Sequence, residues 1–461
     1  MKKYLKSKYL IGTVYYSLPS LLSIIISLIS IPIFLKILTN EEYASYLMSH
    51  FILTIAIITN LSFNKITTIN IAKKNSKKKD IIFTSILLTS VFSTIFSLII
   101  YTLIYYSIQY FNLENIKELQ SIKILIGLII TNFYLTLEGI FKGNINYKTL
   151  SLFNLFFYSI SMSLPSVAVY YKINIDIFTF SILIKLLIIV AMFIIVISKL
   201  VNSKPQISKV FINDCKNYLK WMTLNIFFNQ VYNYFDKYII KIFLDNVAFV
   251  FYNISQQISS KFSSPMMGYN NIFIAKTNVE KKDNKNNLSM AAIFYCVYML
   301  SIFLMLYLFL QKFLMIWLGS TYSATYYDLI KIFLLIVIMN SFSSLLTDYY
   351  DLIGRSKFNT YVEIVTLLPF IIGIILAVLK ENIYYFIYII FFKELLVLGI
   401  KFYTIKQLFL FKNLIIIQFL LIILNSIFWF VNYDGKLFII IQILHLLIFL
   451  PYKKIKKFYK T

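Results

Sequence analysis

Long apolar runs separated by short polar clusters dominate the chain. A helix needs about 20 apolar residues to cross the hydrocarbon core of a bilayer, and runs of about 17 to 28 residues recur from end to end. They predict about fourteen spans, near residues 12–37, 43–63, 81–108, 120–141, 149–171, 177–198, 217–243, 247–272, 288–312, 327–350, 359–379, 383–405, 414–431 and 436–451. Between Trp221 and Ile274 two such arms are interrupted only at Asp245-Asn246, which leaves room for a turn and predicts a transmembrane hairpin. Pro19, Pro32, Pro165, Pro265 and Pro369 fall within spans, where they act as kinks or as packing features.

Composition turns this pattern into a class. With 60% hydrophobic and 18% aromatic residues and a mean hydropathy of +0.79, the chain reads as an all-α polytopic membrane protein rather than a water-soluble domain. Its formal charge of +25 does not point to nucleic acid, because the lysines lie in short clusters between spans and not on a folded basic face. Membrane lipids, through anionic headgroups, are their natural partners. Cys215 and Cys296 make neither a disulfide framework nor a metal set. Met1-Lys2-Lys3 resembles the start of a signal peptide, but the apolar run behind it is too long, so it is read as the first helix. Walker, His-Glu-x-x-His and Gly-rich phosphate motifs are absent, as is any long loop. No enzyme centre, cofactor or metal is expected, and transport remains.

The lysines set the orientation. Placing the N-terminus in the cytoplasm puts Lys73, Lys74, Lys77, Lys78 and Lys79, Lys281 and Lys282, and the Lys453–Lys460 tail on one side, while Glu41, Glu42, Glu114, Glu118, Asp176 and Asp245 occupy the other. Every second loop obeys the positive-inside rule, so both termini are expected in the cytoplasm. A weak repeat strengthens the reading. Leu38-Thr39-Asn40 with Tyr43 and Tyr46 recurs about 200 residues later as Leu244-Asp245-Asn246 with Phe249 and Tyr252, and Ile71-Ala72-Lys73 recurs as Ile274-Ala275-Lys276. The expected architecture is two six-helix lobes, 1–198 and 199–412, around a central cavity, with two further helices and a basic tail at 413–461.

Charges deep in hydrocarbon cost a few kcal/mol or more each and are functional candidates by default. Lys185 lies mid-span, and Lys237, Lys241 and Lys261 lie within the hairpin. With Lys393 they would make a cavity wall cationic, and Lys36, near the outer end of its span, either joins them or snorkels. Asp236, Glu138 and Glu394 are the candidate ion-coupling carboxylates. The alternative is that these charges form packing ion pairs. Asp348, Asp351, Arg355 and Glu363 cluster at inner span ends, as a gate or anchor. His50 and His445, isolated in apolar helices, read as packing residues rather than proton relays.

Several segments carry a family resemblance: Pro32-Ile33-Phe34-Leu35-Lys36 with Glu41-Glu42-Tyr43-Ala44-Ser45-Tyr46, the pair Asp236-Lys237, Ile316-Trp317-Leu318-Gly319, and Leu352-Ile353-Gly354-Arg355-Ser356-Lys357. In order and spacing the chain resembles the Wzx-type oligosaccharide flippases of the polysaccharide transporter family, in the superfamily that also holds MATE exporters and lipid II flippases. Ala44 stands where the family commonly has Gly, and Lys237 where it often has Arg. The resemblance implies a MATE-like fold and alternating access. It also implies transfer of an undecaprenyl-diphosphate-linked oligosaccharide to the outer leaflet for O-antigen or capsule assembly, coupled to a proton or sodium gradient. A monomer working beside polysaccharide assembly proteins is expected. The competing reading is a cation-coupled small-molecule exporter of the same fold, which would want an acidic cavity.

Overall fold

The computed structural model describes residue 22 and residues 24–61, 63–73, 78–111, 114–144, 146–173, 176–198, 205–263, 309–352 and 355–405. All regular structure among the described residues is helical. In chain order the helices are α1 Ile24–Ile37, α2 Asn40–Thr54, α3 Phe63–Lys73, α4 Lys78–Tyr110, α5 Ile122–Gly143, α6 Lys148–Tyr170, α7 Ile177–Ser198, α8 Lys209–Phe243, α9 Asn246–Lys261, α10 Phe309–Leu318, α11 Ser320–Leu352, α12 Ser356–Lys380 and α13 Ile383–Ile405. A short 3-10 segment covers Glu114–Gln120. Eight helices, including a continuation of α2 to Thr59, are long and apolar enough to cross a membrane, and they coincide with the spans expected at 43–63, 81–108, 120–141, 149–171, 177–198, 327–350, 359–379 and 383–405. The spans expected at 414–431 and 436–451, most of 288–312, and Pro19, Pro265 and His445 lie outside the described residues.

The chain divides into two compact units, the first of Met1–Gly268 with Ser356–Ile389 and the second of Tyr269–Arg355 with Ile390–Thr461. In the first, α2 begins with a capping box. Thr39 Oγ1 accepts from Glu42 N at 3.2 Å and Glu42 Oε2 accepts from Thr39 N at 2.9 Å. The acidic motif thus starts a helix, and its companions Tyr43, Ala44 and Tyr46 are buried. Past Thr59 the chain breaks at Leu61, whose φ of 51° is left-handed. Asn60 Oδ1 then caps α3 by accepting from Asn64 N at 3.0 Å. Helix α3 packs closely along α5 because Gly139 and Gly143 face it: a Cβ on Gly139 would come within 2.6 Å of Asn64 O.

Two spans carry π-helical turns, Thr89–Ser93 in α4 and Leu155–Ile160 in α6. Pro165 opens the last segment of α6, where its missing N–H is least costly, and Pro369 sits inside α12 without ending it. The turn predicted at Asp245-Asn246 is present: α8 ends at Phe243, and Asp245 Oδ1 caps α9 by accepting from Ala248 N at 2.5 Å, though neither helix is among those long and apolar enough to cross a membrane. In the second unit Gly319, with φ 89°, lets the chain turn between α10 and α11, which accounts for the glycine of Ile316-Trp317-Leu318-Gly319.

Candidate functional site

The middle of α2 organises the buried charges of the first unit. His50 and Phe51, neighbours about 100° apart on the helix, point one towards α7 and the other towards α8. On one side, Lys185 of α7 is 6% exposed and its Nζ lies 5.3 Å from the Phe157 ring centroid. Its charge also acts on His50. On the other, Lys237 of α8 is 5% exposed, with Nζ 4.9 Å from the Phe51 ring and 4.3 Å from the Tyr234 ring. Lys237 donates to Asn233 O at 2.5 Å. Neither lysine forms an ion pair among the described residues. Rings lie over both ammonium groups, which softens their desolvation; the neighbouring Asp236 carboxylate also acts on Lys237.

Next to Lys237, Asp236 is fully buried. Tyr252 OH donates to its Oδ2, while Oδ1 has no hydrogen-bond partner. Lys241 lies one turn further on, at the end of α8. It donates to Asn246 Oδ1 at 2.6 Å and feels the charges of Glu118 and Glu41. Glu118, on the Glu114–Gln120 segment, is raised above the ordinary carboxylate range mainly by burial, with Lys241 and the Ser45 hydroxyl pulling the other way. These groups tie the end of α8 to the start of α2. Helices α5 and α7 begin at a common end, where Lys123 Nζ meets Asp176 Oδ2 at 2.7 Å. Partial burial alone would raise Asp176, but Lys123 and the Thr179 hydroxyl and N–H hold it lower.

The remaining nominated residues separate. Lys261 is half-buried at the end of α9, and Lys36 is exposed on α1. Glu138 is neutralised where it stands: Lys142 Nζ is 3.0 Å from Oε1, and Asn64 Nδ2 donates to Oε2 at 3.2 Å. Glu363 is buried on α12, and its carbonyl accepts from Tyr232 OH. In the second unit, Lys393 and Glu394 pair with each other at 2.8 Å. Asp348 is partly buried on α11, Arg355 is exposed with its N–H donating to Tyr350 O at 2.8 Å, and Asp351 belongs to the last turn of α11.

Three features escaped the sequence reading. Lys401, near the end of the span expected at 383–405, is 1% exposed and donates to Ser343 Oγ at 3.0 Å and Thr347 Oγ1 at 2.7 Å. His50 packs against the Tyr46 and Phe178 rings with its Nε2 left without a hydrogen-bond partner, and the Lys185 charge acts on it. Asn60, Asn132, Thr136, Thr89, Thr59 and Ser97 form a fully buried hydrogen-bond network. The available signal was polar residues four apart on apolar helices: Ser343 with Thr347, Asn132 with Thr136, Ser93 with Ser97.

Residues 10–266, more than half of the chain, match the profile of a family described as polysaccharide biosynthesis protein. The chain belongs to this family. Solved structures similar to this polysaccharide biosynthesis protein include the lipid II flippase MurJ in an inward-closed conformation, at 18% identity over 95% of this chain and 98% of that one, TM-score 0.66. An outward-facing multidrug MATE transporter of the MOP superfamily aligns at 15% identity over 86% and 95%, TM-score 0.62. A MOP-superfamily transporter from Pyrococcus furiosus, described as having a binding pocket of reversed polarity, aligns at 14% over 86% and 95%, TM-score 0.61. At such identities the likeness is one of fold, and the fold is that of the MOP-superfamily membrane transporters. No curated sequence matches significantly. The kinship expected from the sequence is borne out at the level of family and fold.

Proposed function

We propose that the protein flips an undecaprenyl-diphosphate-linked oligosaccharide from the cytoplasmic to the outer leaflet of a bacterial inner membrane by alternating access, with both termini cytoplasmic. The observation that carries this reading is the pair Lys185 and Lys237. Each is a buried cation with an aromatic ring over its ammonium group, and Lys185 lies in a helix long and apolar enough to cross a membrane. Cations kept this way in low dielectric attract a diphosphate strongly, while the lipid tail stays in the bilayer. A drug-cation exporter would need the opposite polarity. Lys261 and Lys241 extend the basic character along the same hairpin.

Of the carboxylates nominated for ion coupling, Asp236 is the favoured one, because Glu138 and Glu394 are each engaged by a lysine and Asp236 keeps a buried oxygen without a partner. The test is surface-glycan export in a strain lacking its own copy of the gene. Lys185→Ala and Lys237→Ala should each insert normally and lower export by tenfold or more, a loss of about 1.4 kcal/mol or more per site. Wild-type export by both variants would refute the assignment.

A further inference from the structure

We propose that the face of the α8–α9 pair that meets Phe51 binds the sugar part of the cargo, through the side-chain amides of Gln230, Asn253 and Gln257 beside Lys237. The inference rests on the function proposed above and divides its labour: lysine holds the diphosphate, while neutral amides and rings hold the carbohydrate.

The Tyr252 hydroxyl donates to Asp236 Oδ2 across the two helices, so positions equally far from the turn at Asp245 lie at one depth. Lys237 and Asn253, each eight residues from Asp245, share a level. Tyr234 and Gln257 lie close to one another on the next, and Gln230 is one turn beyond Tyr234. From Lys237 to Gln230 the stretch is about 10 Å long, at about 1.5 Å per residue. Phe51 of α2 shows which faces of the two helices look the same way. Its ring centroid is 5.9 Å from that of Tyr234, 6.3 Å from that of Phe249 and 4.9 Å from Lys237 Nζ. On α8, Gln230, Tyr234, Lys237 and Lys241 recur at helical spacing along that stripe, and on α9 Asn253 and Gln257 follow Phe249 at intervals of four.

The amides on this face are unmatched. Asn253 is 0% exposed; its Nδ2 donates to Phe249 O at 2.9 Å, but its Oδ1 has no hydrogen-bond partner. The buried atoms Gln230 Oε1 and Gln257 Nε2 likewise have none. Each is costly to bury unless a ligand meets it. Neither α8 nor α9 is among the helices apolar enough to cross a membrane, which suits helices that line a path for polar cargo.

A diphosphate offers acceptors alone and cannot satisfy Asn253 Oδ1 or Gln230 Oε1, and a metal cation would meet Lys237 at the same depth. A sugar hydroxyl both donates and accepts, so it matches either end of an amide. The apolar face of a pyranose ring also packs on an aromatic such as Tyr234. Helix α2 packs over this face in the structure, and the sugar reaches it when alternating access parts α2 from α9.

The experiment compares two lipids bound to the detergent-solubilised full chain: the undecaprenyl-diphosphate-linked oligosaccharide that accumulates in cells lacking the protein, and undecaprenyl diphosphate itself. The wild type should hold the sugar-bearing lipid at least about tenfold more tightly, the effect of two or three modest hydrogen bonds. Asn253→Leu removes an unmatched buried oxygen, so it should melt no earlier than the wild type while losing most of the preference. Gln257→Leu, at a less buried position, should lose preference in the same way and decides the matter if Asn253→Leu does not fold. Equal binding of the two lipids by the wild type, or full preference in the folded variants, overturns the sugar site and leaves the flippase reading standing. Binding of neither lipid by the wild type overturns that reading itself.

Discussion

Lys185 can be held in an apolar helix, and Lys237 beside the buried Asp236 carboxylate, because aromatic faces take up part of the desolvation. A desolvated cation–π contact contributes about 2 kcal/mol, while an unpaired charge in the membrane costs a few kcal/mol at least, so the balance favours any anion that reaches them. Folding and binding should therefore part company at these positions. Lys185→Met leaves no carboxylate without its partner and should unfold no earlier than the wild type in denaturant or heat, while losing diphosphate binding. Glu394→Gln should behave in the opposite way, because it breaks the buried Lys393–Glu394 pair; breaking such a pair costs about 3–5 kcal/mol, visible as early unfolding. The depth of these lysines was legible in the apolar runs around Lys185 and Lys237. Their surroundings were not, because the rings come from elsewhere: Phe157 reaches Lys185 from α6, and Phe51 reaches Lys237 from α2, far away in sequence. Only packing shows that Lys237 is caged by aromatics while Lys393 is quenched by its neighbour.

Helix placement was largely legible, because run length and hydropathy act locally. The α8–α9 turn at Asp245, the start of α2 at Thr39 and eight of the spans fall where the polar breaks put them. What stayed hidden are interruptions inside spans. The break at Leu61 and the π-turn at Thr89–Ser93 are sustained by buried side-chain hydrogen bonds from Asn60, Asn132 and Thr136, which hydropathy cannot register. Close approach of α3 to α5 depends on the glycine pair 139 and 143. Gly139→Leu should push the helices apart and cost about 1–3 kcal/mol, the usual range for overpacking, measured as a lower melting temperature. At the end of α8, Glu118 supplies a pH test. Its pKa is raised in the folded protein by burial, so its contribution to stability is greatest below the ordinary glutamate value of about 4.3. That contribution declines as pH rises through the folded value. Glu118→Gln should therefore gain stability relative to the wild type as pH increases across that window, in melting curves of the purified protein. A constant difference would mean that the carboxylate is not desolvated.

At the scale of the whole molecule, family membership and the MOP transporter fold agree with what composition, loop charge and motif order imply, while the identity of the cargo depends on chemistry inside the bundle. The central claim is that the buried, ring-flanked lysines of the first unit hold the anionic headgroup while it crosses. Its most direct test is flipping of a fluorescent undecaprenyl-diphosphate-linked oligosaccharide in proteoliposomes, comparing the wild type with a Lys185→Ala, Lys237→Ala double variant inserted to the same density. The account predicts at least a hundredfold slower transfer by the double variant, about 2.7 kcal/mol at ~1.4 kcal/mol per tenfold, with unchanged melting. Equal rates from the two proteins would contradict it.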